Sequence, residues 1–362
     1  MEQSQIQSLI QRIAPKYKPV WEQKSQEDQI ALAQYFLPHR SAKAVIGPTR
    51  PRVIKWYCPF ACQKDFPSGH RYCINVYTGC DHKCIYCYAI GYEPESANCK
   101  RSFEHLLEKD MDDLELFDVP PAPVHLSNST DPFQPLEEQF GHTKYALEQI
   151  FMHRQRFTTV TILTKNPLLA VQLGYIDLFQ QLLGSPNRRP GFVMEVSLAF
   201  WRESARKIYD PGAPTVKERM EGIRRLRDAD IPVVLRIDPL FPHSPITGHP
   251  VKNIADFGLP EAHTIDDLEN LISFASEANV LHLVYSTAKI VQPRGRKLSE
   301  IMIKLRSVYQ ACAAPEKLIW HGGSWRLPFS IAEQRIVQPF LEICRSYGVK
   351  VNYCKQNLIE TP

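Results

Sequence analysis

The sequence predicts a parallel α/β architecture, either a barrel or an open sheet, and three observations predict it. Short runs rich in Val, Ile, Leu and Thr alternate with longer helical stretches from about residue 72 onward. The stretches between runs are long enough for right-handed crossovers from one parallel strand to the next. Polar and thiol side chains gather just after the runs, at the strand ends where parallel α/β folds build their sites.

Taken in order, residues 1–70 read as an N-terminal extension. Ile6, Leu9, Ile10 and Ile13 recur at helical spacing, and 30–37 suggests a second short helix. Pro15 and Pro19 interrupt them, and Pro38, Pro48 and Pro51 close off the second. Arg50, Arg52 and Lys55 precede Trp56 and Tyr57, which suits either a nucleic-acid contact or a solvated edge leading into a buried aromatic pair. Strands are expected at 72–77, 124–127, 159–164, 192–198, 232–237 and 280–285. Helices are expected near 103–109, 143–153, 175–183, 216–228, 265–278 and 297–311. These elements make a core over 71–311. A tail over 312–362, with a helix near 331–347 and a strand at 349–354, is expected to cover the open side of the barrel.

Composition sets the class. The chain has 362 residues, with 44% hydrophobic and 23% charged, as in soluble globular proteins. No apolar run approaches the roughly 18 residues of a membrane span, so no membrane partner is expected. The N-terminus lacks a basic segment followed by an apolar core, which points to a reducing cytoplasm rather than secretion. A net charge of +4 is too mild to decide for or against a nucleic-acid partner. There are 10 cysteines, and their clustering between Cys58 and Cys99 favours metal binding over a disulfide framework.

The most informative stretch is Tyr77-Thr-Gly-Cys-Asp-His-Lys-Cys-Ile-Tyr-Cys-Tyr88, in which Cys80, Cys84 and Cys87 are spaced C-x3-C-x2-C. Three thiolates on one loop can hold three corners of a four-iron, four-sulfur cluster, since soft thiolates select iron–sulfur centres and zinc. A closed structural site wants four protein ligands. Three leave one corner open to a small molecule.

With Tyr86 before the third cysteine, this loop resembles the signature of radical S-adenosylmethionine (SAM) enzymes. The flanking Ile74-Asn75-Val76-Tyr77-Thr78-Gly79 and Tyr88-Ala89 are similar to the spore photoproduct lyase-like branch, also labelled DNA repair photolyase-like. The resemblance covers roughly residues 72–285 and implies a partial (β/α)6 TIM-type barrel. It implies a 4Fe-4S cluster whose open iron binds SAM, reductive cleavage of SAM to a 5′-deoxyadenosyl radical, and hydrogen abstraction from a substrate. It also implies an electron donor such as flavodoxin or ferredoxin.

The same resemblance suggests cofactor contacts, with Tyr86 among them. Ser127-Asn-Ser-Thr-Asp131-Pro132 ends the second strand, and Thr130 and Asp131 match the segment that holds the SAM amino group. Lys165, ending the third strand, suits a carboxylate and matches the SAM carboxylate partner. Ser197 on the fourth strand matches a SAM-contacting serine. Arg236 on the fifth either holds ribose hydroxyls or a phosphate, or pairs with Asp238 or Glu195.

Other groups stay open. Cys58, Cys62 and Cys73, with Cys99 or Cys354, either hold a second iron–sulfur cluster or a zinc, or pack as reduced thiols. Pro293-Arg-Gly-Arg-Lys297 is a phosphate contact or a solvated loop. The glycines of His321-Gly-Gly-Ser-Trp-Arg326 allow close backbone approach. His82 and Lys83 read as tuning or solvent groups.

One departure matters. The lyase carries a hydrogen-donating cysteine just before its Ser/Thr-Asp segment, whereas Asn128 stands at that place and no cysteine lies between Cys99 and Cys312. An amide N–H cannot replace an S–H donor, so dimer reversal by the lyase's own route is not expected. The substrate expectation is a nucleic-acid lesion or modified base. A peptide or small metabolite, or a non-catalytic iron–sulfur or zinc protein that binds nucleic acid, are the alternatives.

Overall fold

A computed structural model describes residues 53–55, 71–94, 96–116, 121–184, 191–246 and 248–354, with positions 22 and 25 before them. Its centre is an eight-stranded sheet. A two-residue edge strand, β1 (Ile54–Lys55), pairs antiparallel with β2 (Tyr72–Ile74). Parallel pairing then runs through β5 (Ala122–Leu126), β6 (Phe157–Thr164), β7 (Gly191–Ser197), β8 (Val233–Leu240) and β9 (Leu283–Thr287). The six expected strands are all present in one sheet, and no pairing joins its two edges among the described residues. Among the described residues the barrel is open.

The interior strands are near-continuous apolar runs, as expected of parallel strands covered on both faces. Val124, Leu126, Val160, Ile162, Met194, Val196, Val233 and Leu235 are at most 0% exposed. Helices Phe103–Leu116, His142–Met152, Ile176–Leu183, Val216–Asp228 and Ile265–Glu277 form the crossovers. Two of them start with reciprocal capping boxes, Thr215 with Glu218 and Thr264 with Asp267, which satisfy orphan amides and fix where each helix leaves its loop.

The elements differ from those expected in four places. The first strand stops at Ile74, because the Asn75 side chain accepts from the Ser129 amide (3.1 Å) and turns the chain toward the β5 end. Tyr77–Thr78 (β3) then pairs with Asn98–Cys99 (β4), making a separate ribbon at the base of the cysteine loop. In the tail, β13 (Val351–Tyr353) becomes a further parallel strand beside β9, so the segment expected to cover the open side extends the sheet itself. Between them, β10 (Ile290–Val291), β11 (Ile319–His321) and β12 (Ser324–Arg326) form a small antiparallel sheet. Gly322 and Gly323, at φ +55° and +73°, make the tight β11–β12 turn, where two consecutive positive φ angles suit glycine.

Candidate active site

Strand register places the site. Ser197 of β7 lies beside Arg236 of β8, and Lys165 follows the last residue of β6. The loops after β2 and β5 close over these ends. Together they line one cavity of about 180 Å³, bordered by Cys80, Cys84, Cys87, Tyr86, Thr130, Asp131, Lys165, Ser197 and Arg236. Every residue expected at the cofactor site meets there, although they come from four strand ends and one loop.

The cysteine loop is held from both sides. Gly79, at φ +72°, sits so close to the neighbouring backbone that a Cβ would come 2.2 Å from the Ser96 carbonyl oxygen. On the other side Ile85 N donates to Tyr209 O (3.1 Å) and Gly212 N donates to His82 O (2.9 Å). A Cβ on Gly212 would meet the Asp81 carbonyl at 2.0 Å, so the two segments touch backbone to backbone. Beneath them Asp210, fully buried, accepts two bonds from the buried Arg219 guanidinium at 3.0 and 3.0 Å, and one from the Tyr86 hydroxyl. Tyr86 thus presents its ring to the cavity and its hydroxyl to Asp210. The sequence reading missed Asp210, Arg219 and Gly212, whose signal is only a carboxylate and an arginine far from the motif.

Thr130 Oγ donates to Gly79 O (2.5 Å) and accepts from Gln134 Nε2 (2.9 Å). Its hydroxyl therefore ties the β5 loop to the residue before Cys80. Asp131 accepts from Thr164 Oγ (2.7 Å), Phe133 N (2.9 Å) and Lys165 N (2.6 Å), and His82 Nδ1 lies 3.5 Å away. A carboxylate offers about four acceptor sites, so Asp131 keeps capacity for one more donor. Lys165 Nζ donates to Ser197 Oγ (2.8 Å) and stands 5.6 Å from the Tyr86 ring centroid. Burial works against its charge, but Asp210, Cys84 and Asp131 outweigh that and hold its pKa above the usual lysine value. It stays an ammonium with donors to spare.

Arg236, open at the sequence level, is committed to a pair on each side. It donates to Glu195 (2.6 Å), to Asp238 and to Cys354 Sγ (2.7 Å). Burial opposes ionisation of Glu195, yet Arg236 and His125 hold it well below the carboxylate range.

The three thiols suit an iron–sulfur cluster. Burial, with Asp131 adding to it, pushes Cys80 up to about 12, and burial raises Cys84 and Cys87 as well. Such thiols ionise when a metal supplies the positive charge. No group of three His, Cys, Asp or Glu among the described residues closes on a single ion. A second metal site finds no support. Cys58 and Cys62 lie outside the described residues. Cys73 Sγ accepts from Asn128 Nδ2 (2.9 Å), Cys99 lies 2.9 Å from His142 Nε2, and Cys354 is beside Arg236. The thiols offered as a fourth partner are each engaged elsewhere.

Comparison with known proteins bears on the family and the fold. Residues 74–257, just over half of the chain, match the model of the radical SAM superfamily. An uncharacterized protein of Methanocaldococcus jannaschii is 25% identical over 176 residues, which are 48% of this chain and 62% of that protein. The matched region thus spans less than two thirds of the curated relative. Among solved structures, a spore photoproduct lyase variant superposes with TM-score 0.53 at 12% identity, covering 80% of this chain and 78% of the other. A lyase variant with dinucleoside spore photoproduct gives 0.52 at 12% identity, covering 82% and 80%. At that identity the likeness establishes the shared fold. The chain belongs to the radical SAM superfamily.

Proposed function

We propose that this protein is a radical SAM enzyme whose cysteine loop and strand ends hold a cluster and SAM side by side. The observation that carries the reading is the single cavity bordered by Cys80, Cys84 and Cys87 on one side and by Asp131, Lys165 and Ser197 on the other. When bound there, the cluster and SAM supply reductive cleavage to a 5′-deoxyadenosyl radical that takes hydrogen from a substrate. The chain's own residues do the positioning. Asp131 has the spare acceptor capacity for an ammonium. Lys165, steadied by Ser197, offers N–H donors to a carboxylate in a charge-assisted bond. Thr130 acts through Gly79 to fix the loop, and Asp210 with Arg219 braces Tyr86 from below.

The electron would come from a small carrier of the flavodoxin or ferredoxin kind. The substrate favoured is a nucleic-acid lesion or modified base. Asn128 at the cavity wall, in place of a thiol, weighs against copying the lyase's hydrogen return. Calorimetric titration of the anaerobically reconstituted protein with SAM is the test. Micromolar to sub-millimolar binding that needs all three cysteines supports the reading. No heat at millimolar SAM would make this an iron–sulfur binding protein instead.

A further inference from the structure

The part of the chain beyond the family match builds a surface at the cavity mouth that the cofactor site does not use. Lys289 lines the cavity, with its Nζ 5.8 Å from the Tyr88 ring centroid, and leads directly into β10. The next loop carries exposed Arg294, Arg296 and Lys297. It is fastened to the turn after the third cysteine, since Arg294 N donates to Ile90 O (3.2 Å). The acidic residue that follows, Glu300, pairs with Lys304 (2.8 Å).

Aromatic faces flank these cations. Trp320 is 53% exposed, and register places it opposite Trp325, which is itself opposite Ile290. Two strand spacings put Trp320 roughly 10 Å from β10, the strand that follows the cavity-lining Lys289. Gln292 N donates to Gly323 O (2.9 Å), locking the hairpin to the start of the basic loop. Beside Tyr88, Tyr92 is 47% exposed and bonds through its hydroxyl to Ser129 of the cavity wall (3.0 Å).

We infer that this surface binds a single-stranded nucleic acid and feeds one nucleotide toward the cavity. Trp320 packs one side against Trp325 (ring centroids 4.4 Å) and Tyr92 lies against Tyr88 (6.1 Å), which leaves each about half exposed. Cations that track phosphates, with aromatic surface beside them, are what unpaired strands require, because every base has a face to stack. An acidic peptide would use the cations but leave Trp320 and Tyr92 without a role. A duplex would satisfy the cations but offer no free base face. The inference rests on the cavity being the reaction site and on the substrate class proposed for it, and adds that the strand is unpaired and which surface holds it.

The test uses the reconstituted full chain, a fluorescent oligothymidylate, the matching duplex and a polyglutamate peptide, with SAM affinity measured in parallel. Wild type is expected to prefer the single strand, with affinity falling as salt rises. An R294Q/R296Q/K297Q variant should lower the slope of log affinity against log salt by about 2, from roughly 0.7 per phosphate contact. Trp320→Ala should weaken oligothymidylate by roughly ten-fold or more. Neither variant should change SAM affinity. Unchanged oligothymidylate binding in both variants overturns the inference, as does equal or tighter binding of duplex or polyglutamate. Loss of SAM binding in the wild type would instead be a failure of the proposed function.

Discussion

The Asp210–Arg219 pair is the support on which the cysteine loop rests, and neutralising one member should be costly. In Asp210→Asn the two 3.0 Å bonds from Arg219 lose their charged acceptor, while the guanidinium remains only 1% exposed. Breaking one partner of a buried pair typically costs about 3–5 kcal/mol, because the other charge is left uncompensated. At about 2.1 cal/mol/K per residue, 362 residues give an unfolding entropy near 0.8 kcal/mol/K, so the melting temperature should fall by roughly 4–7 °C. Asparagine can still accept from Tyr86, so the loss isolates the charge. Adding Arg219→Met removes the stranded guanidinium but not Lys165, which Asp210 also holds charged, so the double variant should recover part of the loss. Scanning calorimetry reads both. A single variant within about 1 °C of wild type, or a double variant less stable than the single, would refute this view of the pair.

Three further outcomes follow from the same geometry. His263 is fully buried, with its ring nitrogens facing Ala199 O (2.6 Å) and Phe241 N (3.2 Å), and burial pushes its pKa down to about 4. A depressed histidine stabilises the fold above its unfolded pKa of about 6.5 and loses that contribution as pH falls toward 4. Its share of the decline should be about 2 kcal/mol by pH 5, and His263→Gln should flatten urea-unfolding stability against pH by that amount. Gly79→Ala forces a Cβ against the Ser96 carbonyl at a positive φ, so iron retained after reconstitution should drop well below wild type while far-UV circular dichroism is kept. Lys165→Met should weaken SAM binding by about 10- to 150-fold, the worth of a hydrogen bond to a charged group, and equal affinity by titration would remove Lys165 from that role.

Much of the site was legible because it sits where parallel folds always put it. Cys80, Cys84 and Cys87 stand out by spacing and Lys165 by ending an apolar run, whereas Asp131 and Ser197 came from the family resemblance, and all of them line one cavity. What stayed hidden depends on pairing between distant segments. Nothing in periodicity says that Asp210 meets Arg219, or that Gly212 must be bare to admit the Asp81 carbonyl. Arg236 could be narrowed to two roles, but only contact with Glu195 and Asp238 settles how it is held. The expected strand from 72 to 77 broke because Asn75 uses its side chain on Ser129, a competition of side chain with backbone that propensity does not register. Likewise β13 is three residues long, too short for alternation to reveal which strand it joins.

The most direct measurement is 5′-deoxyadenosine formation by the anaerobically reconstituted protein with SAM and dithionite, with the Cys80→Ala/Cys84→Ala/Cys87→Ala variant as the blank. Product above the blank, even slow and without added substrate, is the expected result. Protein that retains its iron and binds SAM, yet forms no more 5′-deoxyadenosine than the blank, would contradict the assignment of radical chemistry to this cavity.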